Sequence, residues 1–426
     1  MRLNIFKQKA KKIESESTKT DTFCMMPWVH FHVAQNGNVI PCCQAPPHKV
    51  HRFGNINEQS ISEIWKGEAI QTFRKKMLEG EKDVRCKQCY IKEEQGWKSL
   101  RQITNHKFKE ERKAAEELGV NANEPVYFDL RFSNACNLKC RICGPWASSQ
   151  WFKDAVALGM RQKGEKAITL AIKNEADFFK ELSPLLSTAK EFYFAGGEPL
   201  MMEQHYQLLD ALIACGNTDV QLTYNTNFSN FTFKNYNVLD YWKKFPNISI
   251  AASLDAEGKR GEFLRKNINW DKVLQNRRTI MAELGHIVFQ ISPTVCIFNV
   301  AHLPNFHKNW VEQGLIHVED FIPNVLINPK EYHISALPLE EQVKLKAIYQ
   351  THIDWMKSQQ YSHQEKYEYT LGQFESIFQQ LGTHFNPKLI TELTLKTQQL
   401  DVLRKEDTAE VFPELNSIWE ASNSPK

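Results

Sequence analysis

The sequence has no apolar run approaching the roughly 20 residues that a bilayer-spanning helix needs, no internal repeat and no low-complexity tract. It also lacks a charge excess of one sign. Lys and Arg number 53 against 50 Asp and Glu, a net charge of +3. The first absence argues against a membrane protein. The second argues against a dedicated nucleic-acid binder, which carries a basic surplus, though a local basic groove stays open. The basic start, with Lys7, Lys9, Lys11 and Lys12, has no apolar stretch behind it and does not read as a secretory signal. Residues 1–20 read as a loose end, and a cytoplasmic location is expected.

What is present is an ordinary globular balance, 42% hydrophobic and 24% charged over 426 residues, enough chain for several domains. There are ten cysteines, and eight of them fall within the first 143 residues. Clustered cysteines in a reducing compartment point to metal binding more than to disulfides.

Residues 21–100 are rich in Cys, Gly, Pro and turn dipeptides. Trp28 to Val33 alternates as a half-buried strand does, Asn36-Gly37-Asn38 is a turn, and Ser60 to Phe73 has helical spacing. A charged helical linker, 101–124, follows, with Gly119 as its stop. From 125 to 330, six short apolar runs alternate with amphipathic segments. They begin at Val126, Glu191, Val220, Ile248, His286 and His317. That alternation predicts an α/β fold with a parallel sheet, and six units are too few for the complete eight-stranded barrel. After 331 the chain reads as helical, with helices over 339–359 and 369–381. The apolar helix ending at Cys215 predicts a core thiol there, and Cys296 reads as a core thiol too.

Cys136, Cys140 and Cys143 follow the first of these runs, separated by three and two residues. They would sit on a loop at a C-terminal strand end, where parallel α/β folds place their ligands. Three thiolates this close can hold three corners of an iron–sulfur cubane and leave one iron open. A structural zinc site would need a fourth ligand from elsewhere.

The run Cys136-Asn-Leu-Lys-Cys140-Arg-Ile-Cys143 resembles the radical S-adenosylmethionine superfamily. The resemblance covers about 125–325 and implies a partial (βα)6 barrel. It also implies a 4Fe–4S cluster whose open iron binds S-adenosylmethionine, and reductive cleavage to a 5′-deoxyadenosyl radical that abstracts hydrogen. An external electron donor such as flavodoxin or ferredoxin is implied as well. Ile142 stands where the superfamily usually has an aromatic residue near the adenine. Ala195-Gly196-Gly197-Glu198-Pro199 resembles the turn that binds the methionyl amine; its glycines admit close backbone approach and its carboxylate complements an ammonium. Tyr224-Asn-Thr226-Asn227 resembles the next turn, with Phe228 in place of the usual glycine, so the backbone there is open to question. Ser253, in Ala252-Ser253-Leu-Asp255, would contact the ribose or the carboxylate. Arg265 matches an arginine that pairs with that carboxylate, or else is a surface helix charge.

Cys24, Gly37, Cys42, Cys86 and Cys89, with the stretch from Gly54 to Gly67, resemble the SPASM and twitch auxiliary-cluster domains of the same superfamily. The implied ligands of a second 4Fe–4S cluster are Cys24, Cys42, Cys86 and Cys89, with Cys43 as a substitute for Cys42. Four thiolates suit zinc as well. In most relatives this domain follows the core; here it precedes it. For the substrate, the resemblance implies oxidative modification of a peptide or protein. The alternatives are dehydrogenation or epimerisation of a small sugar or alcohol, or a degenerate sensor without turnover. Nucleic acid and membrane partners are not expected.

Overall fold

The computed structural model describes residues 22–46, 51–94, 98–416 and 418–419; the expected loose end at 1–20 lies outside them. One eight-stranded sheet runs through the molecule. The Cys-rich segment supplies β1 (His30–Val33), β2 (Asn38–Ile40) and β3 (Gly54–Asn55). The alternating region supplies β4 (Tyr127–Leu130), β5 (Glu191–Phe194), β6 (Gln221–Thr226), β7 (Ile248–Ala252) and β8 (Val288–Ile291). In space the order is β8-β7-β6-β5-β4-β1-β2-β3. The sheet is open rather than a closed barrel. β2 and β3 pair antiparallel at one edge, and all six strands from β8 to β1 are parallel.

Six parallel strands were expected, but not these six. The run from His317 contributes only a parallel bridge from Phe321 to Ile291. The sixth parallel strand is β1, which lies against β4 with His30 opposite Tyr127 and Val33 opposite Leu130. The Cys-rich segment is therefore hydrogen-bonded into the same sheet as the alternating region.

The two faces of the sheet differ, because side chains alternate along each strand. Phe31, Phe128, Leu130, Phe192, Phe194, Leu222, Tyr224, Ile250 and Phe289 occupy one face and are buried in the core. Helices such as Glu175–Leu186 and Glu203–Ala214 add Leu182, Leu208, Leu209 and Leu212 to that core. The register puts His30, His32, Tyr127, Asp129, Glu191, Tyr193, Thr223, Asn225, Ser249 and Gln290 on the other face. That face is largely polar, with Ile40, Ala251 and Val288 as its apolar members. It is buried at His30, His32, Asp129 and Glu191, half-buried at Tyr193, Thr223 and Gln290, and exposed at Asn225.

Several helices are shorter or more numerous than their spacing suggests. The expected helix at Ser60–Phe73 is two, Ile61–Trp65 and Glu68–Glu79. The first opens with a Ser60–Glu63 capping box, and the break comes at Gly67, the residue that precedes the second. The linker helix is also two, Leu100–Lys107 and Arg112–Leu118, and Gly119, at φ +62°, follows the second. The C-terminal region is helical, with Leu339–Lys357, Gln364–Gln380 and an unexpected third helix, Lys388–Arg404. Cys215 is exposed rather than in the core, because it caps the C-terminus of Glu203–Ala214, three residues past the helix's last buried leucine, Leu212. Cys296 is fully buried. No helix among the described residues is long and apolar enough to cross a membrane.

Burial of imidazoles gives the fold an acid sensitivity. His205 is fully buried, with Nε2 3.0 Å from the Tyr224 hydroxyl, and His352 lies 3.0 Å from His307. Burial lowers His205 and His352 to about 3 from the ordinary 6.5. Both are neutral in the folded chain, whereas the unfolded chain binds a proton at each below pH 6.5. Folding stability therefore falls as pH drops from 6.5 toward 3, by about 1.4 kcal/mol per histidine per unit. The urea midpoint should be lower at pH 5.5 than at pH 7.5, and His205→Gln should reduce that difference by about one histidine's share. An unchanged difference in His205→Gln would show that His205 does not titrate this way.

Candidate iron–sulfur and S-adenosylmethionine sites

The loop after β4 carries Cys136, Cys140 and Cys143, and short polar contacts hold it in place. The Asn134 amide group donates to the carbonyls of Pro145 and Ala167. Trp151 Nε1 donates to the Cys140 carbonyl at 2.8 Å. The amides of Lys139 and Arg141 donate to the carbonyls of Lys266 and Leu264. Arg141 itself is fully buried and paired with Asp401 and Glu406, so a C-terminal helix helps to hold the loop from behind. Cys140 is buried, and Cys136 and Cys143 are half-buried.

The glycine–glutamate turn after β5 is seated directly on this loop. The amides of Gly197 and Glu198 donate to the carbonyls of Ser133 and Ala135 at 3.0 and 2.8 Å. A Cβ on Gly197 would stand 2.0 Å from the Ala135 carbonyl oxygen, so no other residue fits without separating the two loops. Gly196 has φ +125°, in the range that favours glycine. The Glu198 carboxylate is buried and accepts from Thr226 Oγ1 at 2.6 Å, from the Asn227 amide at 2.7 Å and from the Leu200 amide at 3.2 Å. Burial raises it to about 7 against those hydrogen bonds. A carboxylate offers about four acceptor positions, so one remains for a further donor such as an ammonium.

The next two turns close on the same place. Asn227 reaches the Cys136 sulfur at 3.8 Å and Asn137 at 2.8 Å. Phe228 adopts φ +60°, so the backbone keeps a glycine-like conformation despite the side chain. Its ring is fully buried against Phe231 and Phe289, which offsets the roughly 1–2 kcal/mol such a conformation costs. The Ser253 amide donates to the Thr226 carbonyl at 2.8 Å, joining the ends of β6 and β7. Arg265 is not a surface charge. It is buried, pairs with Asp255 at 2.9 Å and reaches the Cys140 sulfur at 3.6 Å, and its Nε is buried without a partner. The shared hydrogen bond with Cys143, and then Arg265, pull the Cys140 thiol below its ordinary range. Ile142, between Cys140 and Cys143 on the loop, is half-buried. The structure thus brings together the three cysteines and every residue the sequence associates with S-adenosylmethionine. The unpartnered Arg265 Nε and the spare acceptor on Glu198 fit a ligand carrying both a carboxylate and an ammonium.

Cys24, Cys42, Cys86 and Cys89 line one cavity, together with Met26, Arg85 and Arg101. Arg101 and Asn105 of helix Leu100–Lys107 both donate to the Phe23 carbonyl, fixing the approach to Cys24. Burial raises the thiols of Cys24, Cys42 and Cys86, so a metal must displace their protons to bind. Cys43 is exposed and does not line this cavity; it lies instead beside Arg131 and Asp129. Among the described residues, the ligand atoms gathered in a three within 4.8 Å of one another are those of His30, His32 and Asp129.

The sequence reading missed the His30–His32–Asp129 group. Its signal was the alternation His-Phe-His-Val and Tyr-Phe-Asp-Leu, which puts polar side chains on one face of two neighbouring strands.

Residues 24–90 match the SPASM family, described as an iron–sulfur cluster-binding domain. The chain is similar to the S-adenosyl-L-methionine-dependent 2-deoxy-scyllo-inosamine dehydrogenase of Niallia circulans, 38% identical over 76 residues, which is 17% of this chain and 30% of that protein. The chain thus matches under a third of that relative's length. Among solved structures it is similar to native anSMEcpe with bound AdoMet, at 15% identity and a TM-score of 0.40 over 55% of this chain and 63% of that one. It is also similar to Streptococcus suis SuiB bound to S-adenosylmethionine, at 14% identity and a TM-score of 0.37 over 80% and 71%. Residues 24–90 thus match the SPASM iron–sulfur cluster-binding family, on a chain whose glycine–glutamate turn is seated on the loop of Cys136, Cys140 and Cys143.

Proposed function

We propose that the chain is a radical S-adenosylmethionine oxidase acting at a hydroxyl- or amide-bearing carbon of a polar substrate. The observation that carries this reading is the seating of Gly197 and Glu198 on the loop of Cys136, Cys140 and Cys143. Residues some sixty positions apart form one site there, with thiols on one side and ligand-binding groups on the other. In this reading Cys136, Cys140 and Cys143 hold a four-iron cluster, and Cys24, Cys42, Cys86 and Cys89 hold a second. Glu198 takes the methionyl ammonium, Arg265 the carboxylate, and Gly196 and Gly197 leave the backbone open to the ligand. Thr226 and Asn227 hold Glu198 in place, and Ser253 and Ile142 border the nucleoside. Bound together, a reduced cluster and S-adenosylmethionine supply the radical that removes a hydrogen atom.

The polar face of the sheet supports a substrate rich in hydrogen-bonding groups. The Niallia circulans relative is a dehydrogenase of an aminocyclitol, which is consistent with a small polyol-like substrate. A peptide substrate presents the same chemistry through a seryl hydroxyl or backbone carbonyl. The two are separated by measuring 5′-deoxyadenosine release with 2-deoxy-scyllo-inosamine and, in parallel, with a serine-containing peptide. Fully loaded protein that releases no 5′-deoxyadenosine with a strong reductant would refute the enzyme reading.

Two further outcomes follow from the geometry. Anaerobically reconstituted protein should hold about eight iron and eight sulfide per chain if both sites carry cubanes. Replacing Cys136, Cys140 and Cys143 by Ala should leave about half, bound at the N-terminal site. Zinc without iron in that triple variant would show the N-terminal assignment to be wrong. Gly197→Ala should force the turn off the cysteine loop, lowering both iron content and 5′-deoxyadenosine release at least tenfold. Gly285→Ala, where a Cβ meets nothing within 4 Å, should change neither.

A further inference from the structure

Beside the glycine turn, on the polar face of the sheet, stands a charged group that neither cysteine site uses. Arg131 follows β4 directly. Its Nε and Nη2 donate to the two oxygens of Asp129 at 3.1 and 3.2 Å, and His32 Nδ1 lies 2.7 Å from Asp129 Oδ2. Asp129 and His32 are 2% and 1% exposed, whereas the Arg131 side chain is 26% exposed. The buried pair holds the guanidinium by one edge, and the opposite edge, with Nη1, has no partner among the described residues. The root of the Arg131 side chain adjoins Gly196, where a Cβ would lie 3.5 Å from Arg131 Cβ and 3.6 Å from Gln35 Nε2. Tyr193 stands opposite Asp129 on β5 and is half-buried, and Cys43 is exposed beside Arg131.

His30, His32 and Asp129 also have the ligand set of a metal site. Arg131 argues against that use. Both carboxylate oxygens of Asp129 already accept from a guanidinium, and a cation would have to sit beside that fixed positive charge.

We propose that Arg131 anchors the substrate by donating its free edge to an uncharged oxygen, a hydroxyl or an amide carbonyl, next to the Gly196 turn. The class follows from the charge balance. Asp129 cancels Arg131, so the pair offers directed N–H groups without net positive charge, and an anionic ligand would find nothing left to neutralise it. Asp129 and His32 are positioning residues that set the plane of the guanidinium. This rests on the S-adenosylmethionine reading only in placing the substrate beside Gly196.

The test uses anaerobically loaded holoenzyme with S-adenosylmethionine and three probes: 2-deoxy-scyllo-inosamine, an N-acetylated and C-amidated Gly-Ser-Gly peptide, and inorganic phosphate. Binding is read by saturation-transfer NMR, and iron content and melting temperature are read alongside. Either the aminocyclitol or the peptide should bind, and which one binds identifies the source of the oxygen. Arg131→Gln should weaken that binding about tenfold or more, and Arg131→Lys should not restore it, because a point charge lacks the fork. Asp129→Asn should weaken binding by a smaller factor, with iron content unchanged. Binding of neither uncharged probe, tighter binding of phosphate, or equal binding by wild type and Arg131→Gln would each overturn the proposal. So would stoichiometric metal beyond the cluster iron that is lost in His32→Gln. Release of 5′-deoxyadenosine by wild type without any probe is measured separately. If release is absent while Arg131-dependent binding persists, the S-adenosylmethionine reading fails and the anchor stands.

Discussion

The candidate site depends on one close approach. Gly197 sits so near Ala135 that its missing side chain is what lets the turn after β5 rest on the cysteine loop after β4. Everything else around the site is arranged over that contact. The amides of Gly197 and Glu198 spend their hydrogen bonds on the loop carbonyls, which turns the Glu198 carboxylate inward toward Thr226 and Asn227. Asn227 in turn reaches the Cys136 sulfur, and Arg265 closes the circle at Cys140. Three strand ends and a helix end are thereby fixed relative to three thiols.

The second constraint is the placing of β1. A strand of the cysteine-rich segment, it completes the parallel sheet along β4. Its neighbour β2 leads to Pro41, whose carbonyl lies 3.3 Å from His30 Nδ1, and then to Cys42. Domain order therefore matters less than it seems from the sequence. The cysteine-rich segment is joined to the alternating region by four residues of backbone pairing and by side-chain contacts, with Asn57 donating to the Ala171 carbonyl and accepting from the Lys173 amide. Within the segment and its linker, Arg74 donates to the carbonyls of Pro27, Trp65 and Val120, and Trp65 Nε1 donates to the Asn123 carbonyl.

Much of this was legible in the sequence, and the reasons are local. Cysteine spacing and a Gly-Gly-Glu-Pro turn are short-range signals, each contained in a few consecutive residues. Strand positions in the alternating region were legible because each strand is a compact apolar run. The partner of β4 was not, since strand pairing is a long-range property. Nothing within Trp28 to Val33 says that it lies parallel to a strand nearly a hundred residues later. Phe228 was misleading for a related reason. A residue type suggests a backbone conformation, but burial of an aromatic ring can hold the left-handed region that the type disfavours. Cys215 failed at a helix boundary, where the buried face has already ended at Leu212.

The polar face of the sheet draws these constraints together. A sheet face lined by His30, His32, Asp129, Glu191, Tyr193 and Gln290 is a poor surface for packing, because each buried polar group needs a partner. The chain meets that need with side-chain pairs such as His32 with Asp129 and Lys107 with Glu191, at a cost that an apolar face would not incur. Such expense across the middle strands of a face is hard to account for by folding alone. It is accounted for if the face is a working surface. β1 spans four residues, about 13 Å of strand. At one end of that length lie His30, Pro41 and Cys42; at the other, Arg131 meets Gly196. The strand that joins the two segments therefore runs from the neighbourhood of Cys42 to that of the Gly196 turn.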